Sequence, residues 1–344
     1  MRLRREPFQN GKVFLLQSLK HMSMLSAKNI VKPLGSRSTR AISQIVGQIG
    51  HTPLLELKRI GADVAPVKIL AKAEWFNPGG SVKDRAALNI ILDGERSGQL
   101  TADKTILDAT SGNTGIAYSL IGAVLGYKVK LSLPANAGET HKQILKAYGA
   151  ELVLTNPQKG SDGAIVEARK IYENDPQRYF YADQYNNPAN WKAHYNGTAL
   201  EILNQTDYEV THFVAGLGTT GTFVGCARRF RLEKPSVKLI SFQPNSPLHG
   251  LEGMKHLATA IVPGIYEASL SDEDLTISTE EAQQMAMRLA REEGLLVGTS
   301  AGAAAEIALR VACQLRQGVV VTIFPDSGRK DLDQNFWRQV NYGN

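Results

Sequence analysis

Strand-like and helix-like segments alternate along this chain from about Ala41 onward, and no other feature restricts the fold as much. Short apolar runs with strand periodicity precede longer segments with helical periodicity. A strand–helix–strand order is typical of parallel strands joined by crossover helices. The chain is therefore predicted to be an α/β protein with two αβα subdomains and mostly parallel, twisted sheets. Predicted strands cover 68–76, 105–107, 128–133, 151–154, 211–215, 238–242 and 319–324, and predicted helices cover 115–125, 142–148, 163–172, 221–230, 280–293 and 302–315.

The chain divides into four predicted regions. Its 344 residues suffice for two domains of ordinary size. A loop rich in Asn and Pro at 186–190 ends the first run of strands and helices, so a subdomain boundary is expected near residue 190. Residues 1–40 form a basic and flexible extension, and 41–75 start the folded body by packing with the larger subdomain. Residues 76–190 form a smaller, mobile subdomain, and 191–344 form the larger one.

The net charge of +6 combines a charge of +8 on the extension with −2 on the body. Residues 1–40 carry nine Lys or Arg and one acid, which leaves 30 basic and 32 acidic residues for the body. A nearly neutral body argues against nucleic-acid binding, and no apolar run reaches membrane-spanning length. Cys226 and Cys313 are expected to be core thiols in a reducing compartment, and no metal-ligand spacing is present. A cytoplasmic location is predicted, or an organelle if the Arg-rich, Ser-containing extension is a transit peptide.

Lys83 lies where a lysine is normally disfavoured. The sequence Asn77-Pro78-Gly79-Gly80 predicts a turn after a strand. Ser81 and Asp84 have the spacing of a capping box at the start of a helix. Lys83 then lies in the first turn, where the helix dipole favours a neutral amine over an ammonium. A neutral amine is what a Schiff-base lysine needs, although a solvated surface lysine is the plain alternative.

Three glycine-containing junctions are expected at the ends of strands, where open α/β sheets bind their ligands. In the first, 216–222, glycines and free amides at a helix start suit a phosphate. Its G-x-G-x-x-G pattern also allows a dinucleotide, but the next strand ends in Gln243-Pro244 without the acid that a ribose needs. Three threonines there suit a phosphate monoester better. The second junction, 108–115, suits a carboxylate, and the third, 298–303, follows the apolar segment 295–297.

These segments, in this order, resemble the pyridoxal-phosphate enzymes of the tryptophan-synthase-β fold type, and most closely the cysteine synthase family. The resemblance spans about Ile45 to Trp337 and includes Gly-His-Thr-Pro-Leu at 50–54, the Lys83 motif, Thr-Ser-Gly-Asn-Thr-Gly at 110–115 and the Gly/Thr loop. It implies the fold of type II pyridoxal-phosphate enzymes and a homodimer. It also implies that the region 76–190 binds substrate and that the region 191–344 binds the phosphate of the cofactor.

The resemblance also implies a role for each candidate site residue. Lys83 would hold pyridoxal 5′-phosphate as a Schiff base and act as the catalytic base. Asn113 would bond the ring oxygen, and Ser300 would face the ring nitrogen. A neutral hydroxyl there weakens the electron sink and favours β-elimination and replacement over transamination. The phosphate would bind Gly218, Thr219, Thr220, Gly221 and Thr222, and the substrate carboxylate would bind Thr110, Ser111, Gly112, Thr114 and Gln184.

The leaving group of the substrate stays open between phosphate and acetate. The segments 184–190 and 214–222 are similar to the branch of the family that accepts O-phosphoserine, in which an arginine ahead of a Val-Pro pair binds the phosphate. Lys255 stands at that place before Val262-Pro263. Lysine is a phosphate-binding cation but not a bidentate one. Asp108-Ala109 departs from the usual Glu-Pro of the family, which bears on substrate preference more than on the reaction.

The predicted function is a cysteine synthase that replaces the β substituent of O-phosphoserine or O-acetylserine by a sulfur nucleophile. Free sulfide, thiosulfate and a sulfur-carrier protein are all open as donors, and no nucleic acid or membrane partner is expected. The alternatives are a serine or threonine dehydratase, a cystathionine β-synthase-like enzyme, an inactive regulatory binding protein and a nicotinamide-dependent oxidoreductase.

Overall fold

A computed structural model describes residues 45–110, 112–332 and 334–338. The predicted extension at 1–40 and the candidate residue Ser111 lie outside the described residues. No helix in the described part is long and apolar enough to cross a membrane. The described residues also contain no group of three or more His, Cys, Asp or Glu that could hold a metal ion.

Ten strands and ten α-helices are described, together with two π-helical turns at His194–Thr198 and Leu289–Glu293. The strands are β1 (Leu54–Glu56), β2 (Lys68–Ala73), β3 (Thr105–Ala109), β4 (Val129–Pro134), β5 (Glu151–Thr155), β6 (Tyr179–Tyr181), β7 (His212–Gly216), β8 (Lys238–Pro244), β9 (Glu273–Ile277) and β10 (Val319–Phe324). The helices are α1 (Lys83–Arg96), α2 (Asn113–Leu125), α3 (Glu139–Ala147), α4 (Gly160–Asn174), α5 (Pro188–Ala193), α6 (Ala199–Gln205), α7 (Gly221–Glu233), α8 (Thr279–Arg288), α9 (Thr299–Ala312) and α10 (Asn335–Arg338).

The strands form two sheets. One has six strands in the order β1-β2-β10-β7-β8-β9, and the other has four in the order β5-β4-β3-β6. Every strand pair is parallel except β1 with β2. The predicted fold class, an α/β protein with two mostly parallel sheets, is therefore confirmed. The four-stranded sheet uses one continuous part of the chain, 105–181, whereas the six-stranded sheet combines 54–73 with 212–324.

Both sheets are covered on their two faces by helices, because consecutive residues of their strands are mostly apolar and point to opposite faces. In β7, Val214 belongs to the core under α8 and α9, and its neighbour Phe213 belongs to the core under α6 and α7. In the smaller sheet, Ile106 belongs to the core shared with α1 and α2, while Ala109 packs with α4. Strands buried on both faces read as nearly continuous apolar runs, which is why these strands were predictable.

Several sequence expectations need correction. The segment 295–297 is not a strand, since Val297 forms only an isolated bridge with Ser327. The predicted helix at 280–293 ends as a π-helical turn after Arg288. Cys226 is a buried thiol as expected, but Cys313 is exposed because it lies just beyond the end of α9. The short strands β1, β6 and β9 and the helices α5 and α6 were not predicted.

Candidate active site

Lys83 is the first residue of α1, as predicted, but the turn before it is built differently from a capping box. The carboxylate of Asp84 accepts a hydrogen bond from the amide of Gly79 at 2.5 Å, not from Ser81. The Ser81 hydroxyl accepts from the Lys83 amide at 3.3 Å. The Asn-Pro-Gly-Gly turn is thus tied to the helix start by Asp84. A side chain at Gly79 would overlap this carboxylate, so the position requires glycine.

The surroundings of Lys83 favour the uncharged form of its amine. Burial lowers its pKa, and the negative charges of Asp326 and Glu74 oppose that shift. The residue borders a cavity of about 890 Å³ that opens to solvent. It also borders an adjoining inner cavity that Asn113, Gly218, Thr220 and Ser300 line. An amine with a lowered pKa at the meeting point of two cavities suits attack on a carbonyl group and proton transfer.

The phosphate loop predicted at 216–222 joins β7 to α7 as expected. Glycine is required at two of its positions. A Cβ at Gly218 would overlap the backbone oxygen of Gly253, and one at Gly221 would overlap the amide of Asn190. Thr220 has φ of +68°, which is unusual for a β-branched residue. Strain of this kind is concentrated at ligand-binding turns.

The loop also contains an unsatisfied polar group. The hydroxyl of Thr220 is buried and has no hydrogen-bond partner among the described residues. Thr219 accepts from Asn190 at 3.1 Å, and Thr222 contacts the ring of His194 at 3.3 Å. A buried hydroxyl without a partner costs free energy, and a phosphate oxygen at the start of a 13-residue helix would satisfy it. The residues present therefore fit a phosphate monoester.

The predicted carboxylate loop precedes α2, and the side chains of Thr110 and Thr114 in it are already hydrogen-bonded. Thr110 caps the helix by accepting from the amides of Gly112 and Gly115 at 3.0 and 3.1 Å. Thr114 donates to Gln184 at 2.8 Å, and Gln184 donates to the Ala109 oxygen at 2.6 Å. The structure brings these candidates together. Thr114 and Gln184 reach the wall of the large cavity with Lys83, whereas Thr110 supports the loop from behind.

Asp108 anchors this loop. It is buried and accepts from the amides of Ala109 at 2.8 Å and Gln184 at 3.2 Å. Burial raises its pKa to about 7, and the two backbone hydrogen bonds oppose that shift. The Asp108 carboxyl thus links the two segments, β3 and the 183–187 turn, that carry the predicted substrate-binding residues.

Ser300 lies in the first turn of α9 and faces the inner cavity beside Lys83 and Asn113. The junction that positions it is a helix start after an irregular segment, not a strand end as predicted. Glycine is required at position 298, two residues before Ser300, because a side chain there would overlap the carboxylate of Asp326.

Lys255 lies in the wall of the large cavity, but it is not a free cation. Its ammonium forms an ion pair with Asp162 at 2.6 Å and lies 5.2 Å from the ring centre of Tyr185. The second oxygen of Asp162 accepts from the Ile261 amide at 2.8 Å. Lys255 is only 5% exposed. The cation predicted to bind a substrate phosphate is therefore partly neutralised.

Sequence reasoning missed two residues of this site, Asp326 and Lys330. Asp326 lines the inner cavity, and Lys330 lines the large one. Both lie in the segment Pro-Asp-Ser-Gly-Arg-Lys at 325–330, directly after β10. The rule that ligands bind beyond the carboxyl ends of parallel strands could have found this segment, since it is one more strand-end loop.

Comparison with known proteins agrees with this site. A family model described as pyridoxal-phosphate dependent enzyme matches residues 45–326, and the chain belongs to this family. Its fold is that of the type II pyridoxal-phosphate enzymes. Within the family it is similar to cysteine synthases.

Three relatives show the extent of this similarity. The cysteine synthase of Aquifex aeolicus is 46% identical over 299 residues, which are 85% of this chain and 91% of the relative. Cysteine synthase B of Salmonella typhimurium is 39% identical over 294 residues, 86% of this chain and 96% of the relative. The crystal structure of the cysteine synthase of Entamoeba histolytica has a TM-score of 0.83 at 35% identity and covers 91% of this chain and 96% of its own.

Proposed function

We propose that this protein is a cysteine synthase that uses pyridoxal phosphate to replace the β substituent of an O-activated serine by sulfur. The observation that carries the proposal is the meeting of three groups at one inner cavity. These are the amine of Lys83, the unsatisfied Thr220 hydroxyl at the start of α7, and the amide of Asn113. Similarity to cysteine synthases over most of the chain supports the same reaction.

The residues would divide the work as follows. Gly218, Thr219, Thr220, Gly221 and Thr222 would hold the cofactor phosphate through backbone amides and hydroxyls, with Ser300 at the ring nitrogen. When bound, pyridoxal phosphate supplies an aldehyde that captures the substrate amine and a ring that withdraws electrons from Cα. The loop at 110–114 with Gln184 would orient the substrate carboxylate.

Lys83 would move the protons at Cα. Its amine accepts the Cα proton, the C–H electron pair forms the Cα–Cβ double bond, and the leaving group departs with the pair of its bond to Cβ. After a sulfur nucleophile adds to Cβ, the same ammonium returns a proton to Cα. The lowered pKa of Lys83 serves the first step, because only the unprotonated amine can act as a base.

Replacement of Lys83 tests the proposal. Lys83→Ala is expected to lower cysteine formation by about 10³-fold, since it removes both the attachment point and the base. Lys128→Ala, at an exposed lysine, is the control and is expected to keep full activity. Borohydride reduction followed by mass spectrometry of peptides is expected to find the cofactor on Lys83. Full turnover of Lys83→Ala would overturn the proposal, and pyruvate release from serine without sulfide would indicate a dehydratase.

We infer that O-acetylserine is the better of the two candidate substrates. The support is the ion pair between Lys255 and Asp162, since a doubly charged phosphate would have to compete with the Asp162 carboxylate for the same ammonium. A neutral acetyl ester meets no such competition. Steady-state kinetics with each substrate and sulfide test this inference. A higher kcat/KM for O-phosphoserine would contradict it.

We propose further that the region 76–190 is the mobile part that binds the amino acid, that the region 191–344 holds the cofactor, and that the enzyme is a homodimer. Family resemblance supports all three. Sedimentation of the purified protein tests the dimer. Hydrogen exchange with and without substrate tests the mobility of the four-stranded sheet, which is expected to gain protection on binding.

Comparing sulfide, thiosulfate and a thiocarboxylated carrier protein identifies the sulfur donor.

A further inference from the structure

The side-chain amide of Asn113 is held at both ends by charged residues that follow β10. Its nitrogen donates to Oδ2 of Asp326 at 2.7 Å, and its oxygen accepts from the ammonium of Lys330. An ammonium has only donors and an ionised carboxylate has only acceptors. The two partners therefore determine which end of the amide is oxygen and which is nitrogen, a choice that is ambiguous for many asparagines.

The carboxylate of this pair is rigidly placed. Asp326 forms an isolated bridge with Ser81, and the amide of Val82 donates to the Pro325 oxygen at 2.8 Å. The carboxylate packs against Gly298 at the start of α9, where the helix dipole favours its charge. Burial raises the pKa of Asp326, while Lys330, the hydrogen bond from Asn113 and Lys83 oppose the shift. The hydrogen bond acts through Oδ2, while Oδ1 is buried without a hydrogen-bond partner among the described residues.

The Asn113 amide has one N–H donor that neither charged residue uses. A carboxamide nitrogen carries two hydrogens. One of them bonds Asp326, and the other has no partner among the described residues. Asn113 lines the inner cavity with Lys83 and Ser300. The site thus offers a single N–H of fixed identity to whatever binds there.

We propose that Asp326 and Lys330 are positioning residues that orient Asn113 so that its remaining N–H donates to the ring oxygen of bound pyridoxal phosphate. This inference rests on the proposed function, because that function assigns Asn113 to the cofactor. Without Lys330 or Asp326 the amide is held at one end only and turns over more easily, and in the turned state its own oxygen faces the cofactor oxygen. Two acceptors facing each other forfeit the hydrogen bond and add repulsion.

The test measures the affinity of the protein for the cofactor and the absorption spectrum of the bound cofactor. Lys330→Met removes the donor and keeps an unbranched chain, and Lys330→Arg keeps a donor. Asp326→Ala removes the acceptor, and Asp326→Asn keeps one. Apoprotein titration with pyridoxal phosphate and the absorption spectrum of each holoenzyme are recorded, together with borohydride labelling of Lys83. Lys330→Met and Asp326→Ala are expected to weaken cofactor binding about fivefold to tenfold and to shift the absorption band, while the conservative variants stay close to wild type.

A double mutant shows whether Lys330 affects cofactor binding through Asn113. In an Asn113→Ala background, Lys330→Met is expected to change neither the affinity nor the spectrum further, because its effect runs through Asn113. An equal change in both backgrounds would overturn the inference, as would a wild-type spectrum and affinity in both Lys330→Met and Asp326→Ala. If Asn113→Ala itself changes nothing, its cofactor role is wrong and the inference falls with it. Absence of label at Lys83 in the wild-type protein would refute the proposed function instead.

Discussion

At the scale of single residues, this protein places ionisable groups where burial shifts their pKa values. Lys83 was predicted from the sequence because its turn, its helix start and its spacing are all local. Asp326 and Lys330 were not, because they reach Asn113 from 213 and 217 residues further along the chain. A local sequence pattern is enough to predict a reactive residue such as Lys83. The residues that orient the site can be found only when the pairing of the strands is known.

Asp84 gives a test of this burial. Its carboxylate bonds the Gly79 amide, its other oxygen is buried without a partner among the described residues, and burial raises its pKa to about 7. Because the folded state holds this proton more tightly than the unfolded chain, the charged group costs stability increasingly from pH 4 to pH 7. Asp84→Asn removes that cost. The variant is expected to gain about 1–3 kcal/mol of unfolding free energy over wild type at pH 8, relative to pH 4.

Urea unfolding of the holoenzyme at several pH values measures the difference for Asp84→Asn. Asp93→Asn, at a half-exposed acid of the same helix, is the control and is expected to stay within about 0.5 kcal/mol of wild type at each pH. A difference between Asp84→Asn and wild type that does not change with pH would show that folding does not raise the pKa of Asp84.

At the scale of elements, loops between strands and helices carry the site, and close contacts with backbone or side-chain atoms restrict several of their positions to glycine. The phosphate loop and the loop before α2 were predictable because a strand, a glycine-rich turn and a helix follow one another in the sequence. The segment 295–297 misled the prediction because its apolar residues pack into the core without joining a sheet. Three-residue strands such as β1 and β6 are too short to show a period, so only tertiary pairing defines them.

Gly218 tests the phosphate loop. Its missing side chain allows the loop to lie against the Gly253 oxygen, a backbone atom that cannot rotate away. Gly218→Ala is expected to displace the loop and weaken cofactor binding at least about tenfold, as judged by titration of the apoprotein. Gly98→Ala is the matched control. It strains a left-handed glycine on the surface by about 1 kcal/mol, and its cofactor affinity is expected to equal that of wild type. Wild-type affinity in Gly218→Ala would contradict the assigned loop.

At the scale of the whole molecule, buried charges join parts of the chain that are distant in sequence. Lys72 in β2 lies fully buried, 2.7 Å from Glu201 of α6, and Arg85 of α1 bonds both Glu201 and Glu74. Burial would raise the pKa of Glu201, but Arg85 and Lys72 outweigh it and keep the carboxylate charged. This network could not be predicted, because the sequence around Lys72 and Glu201 has no pattern that indicates their burial. It connects the six-stranded sheet to the helix that carries Lys83.

The ion pair between Asp162 and Lys255 joins α4, beside the four-stranded sheet, to the loop after β8, and both residues line the large cavity. Asp162→Asn is expected to free the Lys255 ammonium and to raise kcat/KM for O-phosphoserine about fivefold to tenfold, with little change for O-acetylserine, because only the phosphate gains a cation. The gain is expected to vanish in the double variant Asp162→Asn, Lys255→Met, which serves as the control for charge. Asp162 also accepts from the Ile261 amide, so its loss could instead loosen the cavity wall. A loose wall would lower kcat/KM for both substrates by the same factor, and that result in steady-state kinetics would assign Asp162 a structural role in place of a selective one.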